Sequence, residues 1–202
     1  MEPVHFLYIA VSYLIGAIPF GLLVSRGSGI DIRTQGSCNI GATNVARLLG
    51  KKFGVITLIL DICKGFVPVF AVAQFCGEHP QAHLVTALCG GATVVGHMFS
   101  VYLGMKGGKG VATALGVFFF LSPLAVLIAL VLFLAAVFFS GYVSLGSLLG
   151  SASVIMTLAL LGEPGWKIWL AFFVVALIWG KHHQNIGRLL KGTEKSWQKK
   201  SN

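Results

Sequence analysis

The sequence predicts an all-α, polytopic integral membrane protein with seven transmembrane helices, its N-terminus outside and its C-terminus cytoplasmic. Three observations lead there. Of 202 residues 56% are apolar and 10% charged, with a mean hydropathy of +0.86, whereas a soluble domain carries about 25% charged residues. Such a chain cannot cover itself with a water-facing surface. Its apolar residues gather in runs near the roughly 20 residues a spanning helix needs, and its basic residues fall between alternate runs. The whole chain, 1–202, reads as one membrane domain with no internal repeat and no soluble second domain.

The first run, 4–25, lacks a basic n-region and an Ala-x-Ala site, so it reads as a retained helix rather than a signal peptide. The runs 53–76 and 83–103 are the next two spans, and the first of them contains Asp61, Lys64 and Pro68, where a kink is expected. The run 111–140 is too long for one span. A helix of that length would extend about 45 Å against a hydrocarbon core of about 30 Å, and Ser122-Pro123 stands near its middle. Division there gives helices over about 109–121 and 123–140, followed by 142–162 and 165–181. Those over 109–121 and 165–181 are short, so tilt or partial burial is expected.

Charge placement tests the count. Seven spans put Arg26, Arg33, Arg47, Lys51, Lys52, Lys106, Lys109, Lys181, Arg188, Lys191, Lys195, Lys199 and Lys200 in the cytoplasm, with only Lys167 outside. Six would move the Lys-rich tail opposite the first basic loop, against the positive-inside rule. The net charge of +9 therefore marks cytoplasmic loops, and no nucleic-acid partner is expected. The tail, 191–202, reads either as a segment on an anionic leaflet or as disordered. Cys38, Cys63, Cys76 and Cys89 have neither zinc-ligand spacing nor the look of a disulfide framework; no metal and no cofactor are expected.

Three polar segments lie on the same side under this topology. The first runs from Gly36 to Arg47 and combines Ser37, Asn39, Gly41, Thr43 and Asn44 with Arg47. Glycines admit a ligand close to the backbone, N–H groups can cup an anion, and a guanidinium offers a fork for phosphate. The alternative is a capped helix start with Arg47 as a topology marker. The second, Gly104 to Gly110, places Lys109 among Gly107, Gly108 and Gly110 but is not a Walker A loop; a basic hairpin at the membrane surface is equally consistent. The third holds His182 and Asn185 three residues apart, so a helix would put them on one face. Taken alone, His182 reads as an ordinary interfacial polar residue. His97 reads as orienting a neighbouring loop, and Asp61 with Lys64 as a mutual pair holding the bundle.

The stretches GSCNIGATNVAR, GHM, GGKGVAT, YVSLGS and HHQNIGRLL together resemble the motif set of the bacterial acyl-phosphate:glycerol-3-phosphate acyltransferase family, from about residue 15 to 194. The resemblance implies seven helices with an outer N-terminus. It implies transfer of an acyl group from acyl-phosphate to the 1-hydroxyl of glycerol 3-phosphate, giving 1-acyl-glycerol 3-phosphate and phosphate. It implies a multi-pass protein of the bacterial inner membrane whose site faces the cytoplasm, coupled functionally to the enzyme that makes acyl-phosphate. By motif, Ser37, Asn39, Gly41, Thr43, Asn44 and Arg47 line a phosphate site, joined by Gly107, Gly108 and Lys109; Ser147 matches a conserved-motif serine, and His182 and Asn185 hold glycerol 3-phosphate. Cys38 stands where the family usually has glycine, a strained choice if the backbone there is left-handed.

Acyl-phosphate is already a mixed anhydride, so no protein nucleophile is needed, and no Gly-x-Ser-x-Gly elbow is present. Arg47 and Lys109 would stabilise the departing phosphate. The general base is either a phosphate of the substrate or His182. A transporter would carry polar residues through to both faces, but only Asp61 and Lys64 lie deep. The reading requires Ser37–Arg47, Lys109 and His182 to share a pocket at the inner leaflet.

Overall fold

The computed structural model describes residues 1–197, so Lys199 and Lys200 of the basic tail lie outside the described residues. Among the described residues every regular element is helical and no strand occurs. They fall into two compact units, Met1–Phe120 and the residues from Leu121 on.

The first unit begins with α1 (Pro3–Ala17) and α2 (Phe20–Ser25). The apolar run 4–25 is thus two helices rather than one. Ile18 leaves the helical region with ψ 120° and Pro19 follows it, as expected from the clash a proline makes with a helical predecessor. After the loop 26–41 come α3 (Ala42–Leu49) and α4 (Lys51–Cys76), separated by Gly50 at φ 94°. Pro68 lies inside α4, which continues through it. α5 (Ala82–Met98) gives way to a single 3₁₀ turn, Val101–Leu103, and α6 (Val111–Leu121) follows the glycine loop. α1 packs along α5 at close range: a Cβ on Gly16 would overlap the Thr93 carbonyl, and one on Gly96 the Tyr13 carbonyl. Small residues that let backbones touch are the usual glue between helices in lipid, where burying apolar area gains nothing.

In the second unit α7 (Pro123–Ser140) starts with proline in its first turn, where a missing N–H costs nothing. It packs on α8 (Val143–Leu160), and α8 on α9 (Gly165–Lys181). α10 (His183–Leu190) then packs on α8 and α9. Only 11% of α7 is buried, and Leu134, Phe138 and Phe139 stand mostly exposed. A helix so apolar and so little covered has the make-up of one that faces lipid.

Among the described residues five helices, counting Pro3–Ser25 and Ala82–Leu103 as one each, are long and apolar enough to cross a membrane. The tail residues up to Trp197 are bound rather than loose: Trp197 donates its N–H to the Gly141 carbonyl at 2.8 Å.

Candidate functional site

In the first unit the loop 36–41 is shaped from behind by Asn44, which is 1% exposed. Its Oδ1 accepts the Ser37 N–H at 2.8 Å, and its Nδ2 donates to the Ile32 and Gln35 carbonyls at 2.9 and 3.1 Å. Both amide protons are engaged, so Asn44 holds the loop instead of reaching out to a ligand. Asn39 makes a local turn, its Oδ1 accepting the Gly41 N–H at 2.8 Å. Gly41 precedes the first turn of α3, whose early N–H groups form the positive end of a helix dipole. Thr43 is half-buried, and Arg47 is exposed one turn further on. At four residues' spacing these two share a face. Ser37 is exposed beside this turn. Cys38 has φ 54°, the left-handed region that costs a side chain about 1–2 kcal/mol relative to glycine.

The second loop hangs from the end of α5. The Gly107 N–H donates to the Met98 carbonyl at 3.2 Å, and that of Gly108 to the His97 carbonyl at 3.0 Å. A Cβ on Gly107 would overlap the His97 carbonyl, and one on Gly108 the His97 ring. The glycines are required by contact with α5, and they leave Lys109 half-buried just before α6. Asp61 and Lys64 form the pair their spacing suggests, at 2.8 Å and almost fully buried.

In the second unit His182 closes α9 and is 2% exposed. Its Nδ1 lies 2.8 Å from the Ile178 carbonyl. A carbonyl only accepts, so Nδ1 carries a proton in this arrangement. Ser147 is buried and donates back to the Val143 carbonyl at 2.9 Å. Asn185 donates through Nδ2 to Glu194 at 2.5 Å.

Glu194, which the sequence marks only as one of two cytoplasmic loop carboxylates with Asp31, is the acceptor. Its carboxylate also accepts from Ser144 Oγ at 2.9 Å and Arg188 Nε at 2.6 Å. Burial pushes its pKa up, but the bonds from Arg188, Asn185 and Ser144 outweigh that and hold it below the ordinary carboxylate range. The signal available in the sequence was a single acid in a basic tail, nine residues after Asn185. An apolar groove of about 430 Å³ between α7 and α8, lined by Leu132, Phe139, Leu149 and Met156 among others, offers no group for phosphate chemistry.

Long apolar helices, with most of the donor-rich polar groups in loops and at helix ends and the Asp61–Lys64 pair buried within α4, mark an integral membrane protein. The family described as glycerol-3-phosphate acyltransferase matches residues 6–192. A protein of that name from Desulfotalea psychrophila is 56% identical over 96% of this chain and 99% of its own length. One from Aquifex aeolicus is 42% identical over 92% and 95%. A crystal structure of PlsY (YgiH), an integral membrane glycerol 3-phosphate acyltransferase, in its glycerol 3-phosphate form superposes with a TM-score of 0.91 at 40% identity, covering 96% of each chain. Its lysophosphatidic acid form gives 0.89 at 39%, with the same coverage. The chain belongs to the glycerol-3-phosphate acyltransferase family, and it is an acyltransferase.

Proposed function

We propose that this chain transfers an acyl group from acyl-phosphate to the 1-hydroxyl of glycerol 3-phosphate, the first step of phospholipid synthesis. The observation that carries the reading is the full-length likeness to a fold solved with glycerol 3-phosphate and with lysophosphatidic acid. The donor assignment rests on the chemistry of the residues. The polar segments supply cations and N–H groups but no activated nucleophile, which suits an acyl group already activated as a phosphate anhydride.

The hydroxyl oxygen attacks the acyl carbonyl, the carbonyl carbon–oxygen bond to phosphate breaks, and phosphate leaves. Arg47, Lys109, Ser37 and the N-terminal N–H groups of α3 bind that phosphate and the charge that grows on it, with Thr43 beside them. Asn39, Gly41 and Asn44 keep the loop in shape, as Gly107 and Gly108 do for Lys109. His182, Asn185 and Ser147 bind glycerol 3-phosphate. The hydroxyl proton goes to His182 Nε2 or to a substrate phosphate; the Nδ1–H bond to Ile178 favours the first.

Seven spans fit this reading: the five long helices, plus α6 and the 17-residue α9. The N-terminus then lies outside, and the basic loops with the site lie in the cytoplasm of a bacterial inner membrane. Acyl-phosphate comes from a separate enzyme to which this one is functionally coupled.

Purified protein supplied with acyl-phosphate and radiolabelled glycerol 3-phosphate should yield lysophosphatidic acid and phosphate in equal amounts. Equal turnover with an acyl thioester would remove the donor assignment. Uptake of glycerol 3-phosphate into proteoliposomes without product would remove the enzyme.

A further inference from the structure

The pair inside α4 does more than join helices. Asp61 and Lys64 are 2% and 1% exposed at the side chain and 2.8 Å apart. As glue alone this pair has little to recommend it, because desolvating two charges offsets most of their attraction and apolar residues hold helices as well. Its surroundings are specific. Lys64 Nζ also donates to the Ile18 carbonyl at 2.8 Å, at the break between α1 and α2. Asp61 Oδ1 faces His97 Nδ1 at 3.8 Å, and the His97 ring is buried. The opposite edge of that ring lies against Gly108: a Cβ there would overlap Nε2. The backbone of the same histidine accepts the Gly108 N–H at 3.0 Å. Gly108 is therefore gripped by both the carbonyl and the ring of one residue, and Lys109 is the next in the chain.

We propose that His97, braced by the buried Asp61–Lys64 pair, is a positioning residue that fixes the Gly107–Gly108 turn and through it the placement of the Lys109 ammonium. The inference rests on the role given to Lys109 above. It extends that role to three residues outside the polar loops, and it accounts for ionisable groups deep in a span without a transport path. The Asp61 carboxylate lies beside one edge of the ring, beyond hydrogen-bond distance, and the glycine turn closes on the other, so the ring is wedged between α4 and the loop.

The test is a kinetic cycle on the full-length protein in detergent. His97→Ala should lower kcat roughly 10–100-fold, the cost of a catalytic group displaced by about an ångström. The KM for glycerol 3-phosphate should stay within about twofold, since the ammonium acts on the leaving phosphate. Asp61→Leu combined with Lys64→Met should reproduce that fall while the melting temperature holds. In a Lys109→Ala background, His97→Ala should cost less than about twofold, because the two act as a unit. A full multiplicative loss there, or a wild-type kcat in His97→Ala, overturns the proposal.

If His97→Ala does not fold, His97→Asn and His97→Gln carry the test. Asn keeps a polar group near the Nδ1 position beside Asp61 and should stay within about threefold of wild type; Gln keeps only the far position and should fall roughly tenfold. Equal activity of the two overturns the link. The two levels separate cleanly. An inactive Lys109→Ala with a fully active His97→Ala sinks the positioning role alone, whereas a fully active Lys109→Ala sinks the assignment of Lys109 itself.

Discussion

Glu194→Gln isolates what the tail contributes, because it preserves shape and removes one charge. The carboxylate accepts from three donors, Ser144, Asn185 and Arg188. An amide has one oxygen and one NH₂, so one of its ends must face a donor with a donor. Charge-assisted bonds contribute about 1.5–3 kcal/mol each. The Arg188 side chain is 37% exposed, however, while that of Glu194 is 7% exposed. Water can replace the carboxylate at Arg188, which cuts the loss to about 1–1.5 kcal/mol. If that loss falls on the placement of Asn185, kcat/KM for glycerol 3-phosphate drops about tenfold. Trypsin should at the same time cut faster after Lys195, since the segment ending at Trp197 is tied down beside it. The folded chain holds this carboxyl below its ordinary value of 4.5. The stabilisation is therefore complete above that value and is lost as pH falls through the lower folded pKa. Between pH 5 and 8 the wild type should show no change in cleavage, with faster cleavage only in more acid buffer, and the variant should lose that acid step. A variant with wild-type kcat/KM and wild-type cleavage would show that Glu194 does not orient Asn185.

Cys38→Gly should raise stability by about 1 kcal/mol by relieving φ 54°, seen as a higher melting temperature in detergent. Asn44→Asp replaces an NH₂ that serves two carbonyls with an oxygen that repels them, so it should cost roughly 2–4 kcal/mol and lower both melting temperature and activity. Arg47→Ala and Lys109→Ala should each reduce kcat/KM about 10–100-fold; unchanged kinetics in both would remove the phosphate roles. Asp31→Asn breaks an exposed pair with Arg33, 2.9 Å apart, and should leave the melting temperature where it was.

The helices were legible because lipid imposes one simple demand, sustained apolarity, and a run of residues displays it directly. What apolarity hides is punctuation. The run 4–25 still counts as one span, yet its helix breaks at Ile18 before Pro19, whereas α4 runs on through Pro68; apolarity does not say which proline will interrupt a helix. The loops were legible by kind and not by direction. Asn44 and Ser37 are both donors in the same motif, but one is turned inward to serve three backbone groups and the other lies exposed. No residue type announces which way it will point. Glu194 and His97 mark the further limit. Ser144 stands 50 residues from Glu194 and Asp61 stands 36 from His97, so those two approaches are not legible in the neighbouring sequence, although the loop-orienting reading of His97 was. A motif names residue types, and the fold decides which of them face the chemistry and which, like Asn44 and His97, hold a loop in place. That is why a supporting group such as His97 is where substitution should separate kcat from stability.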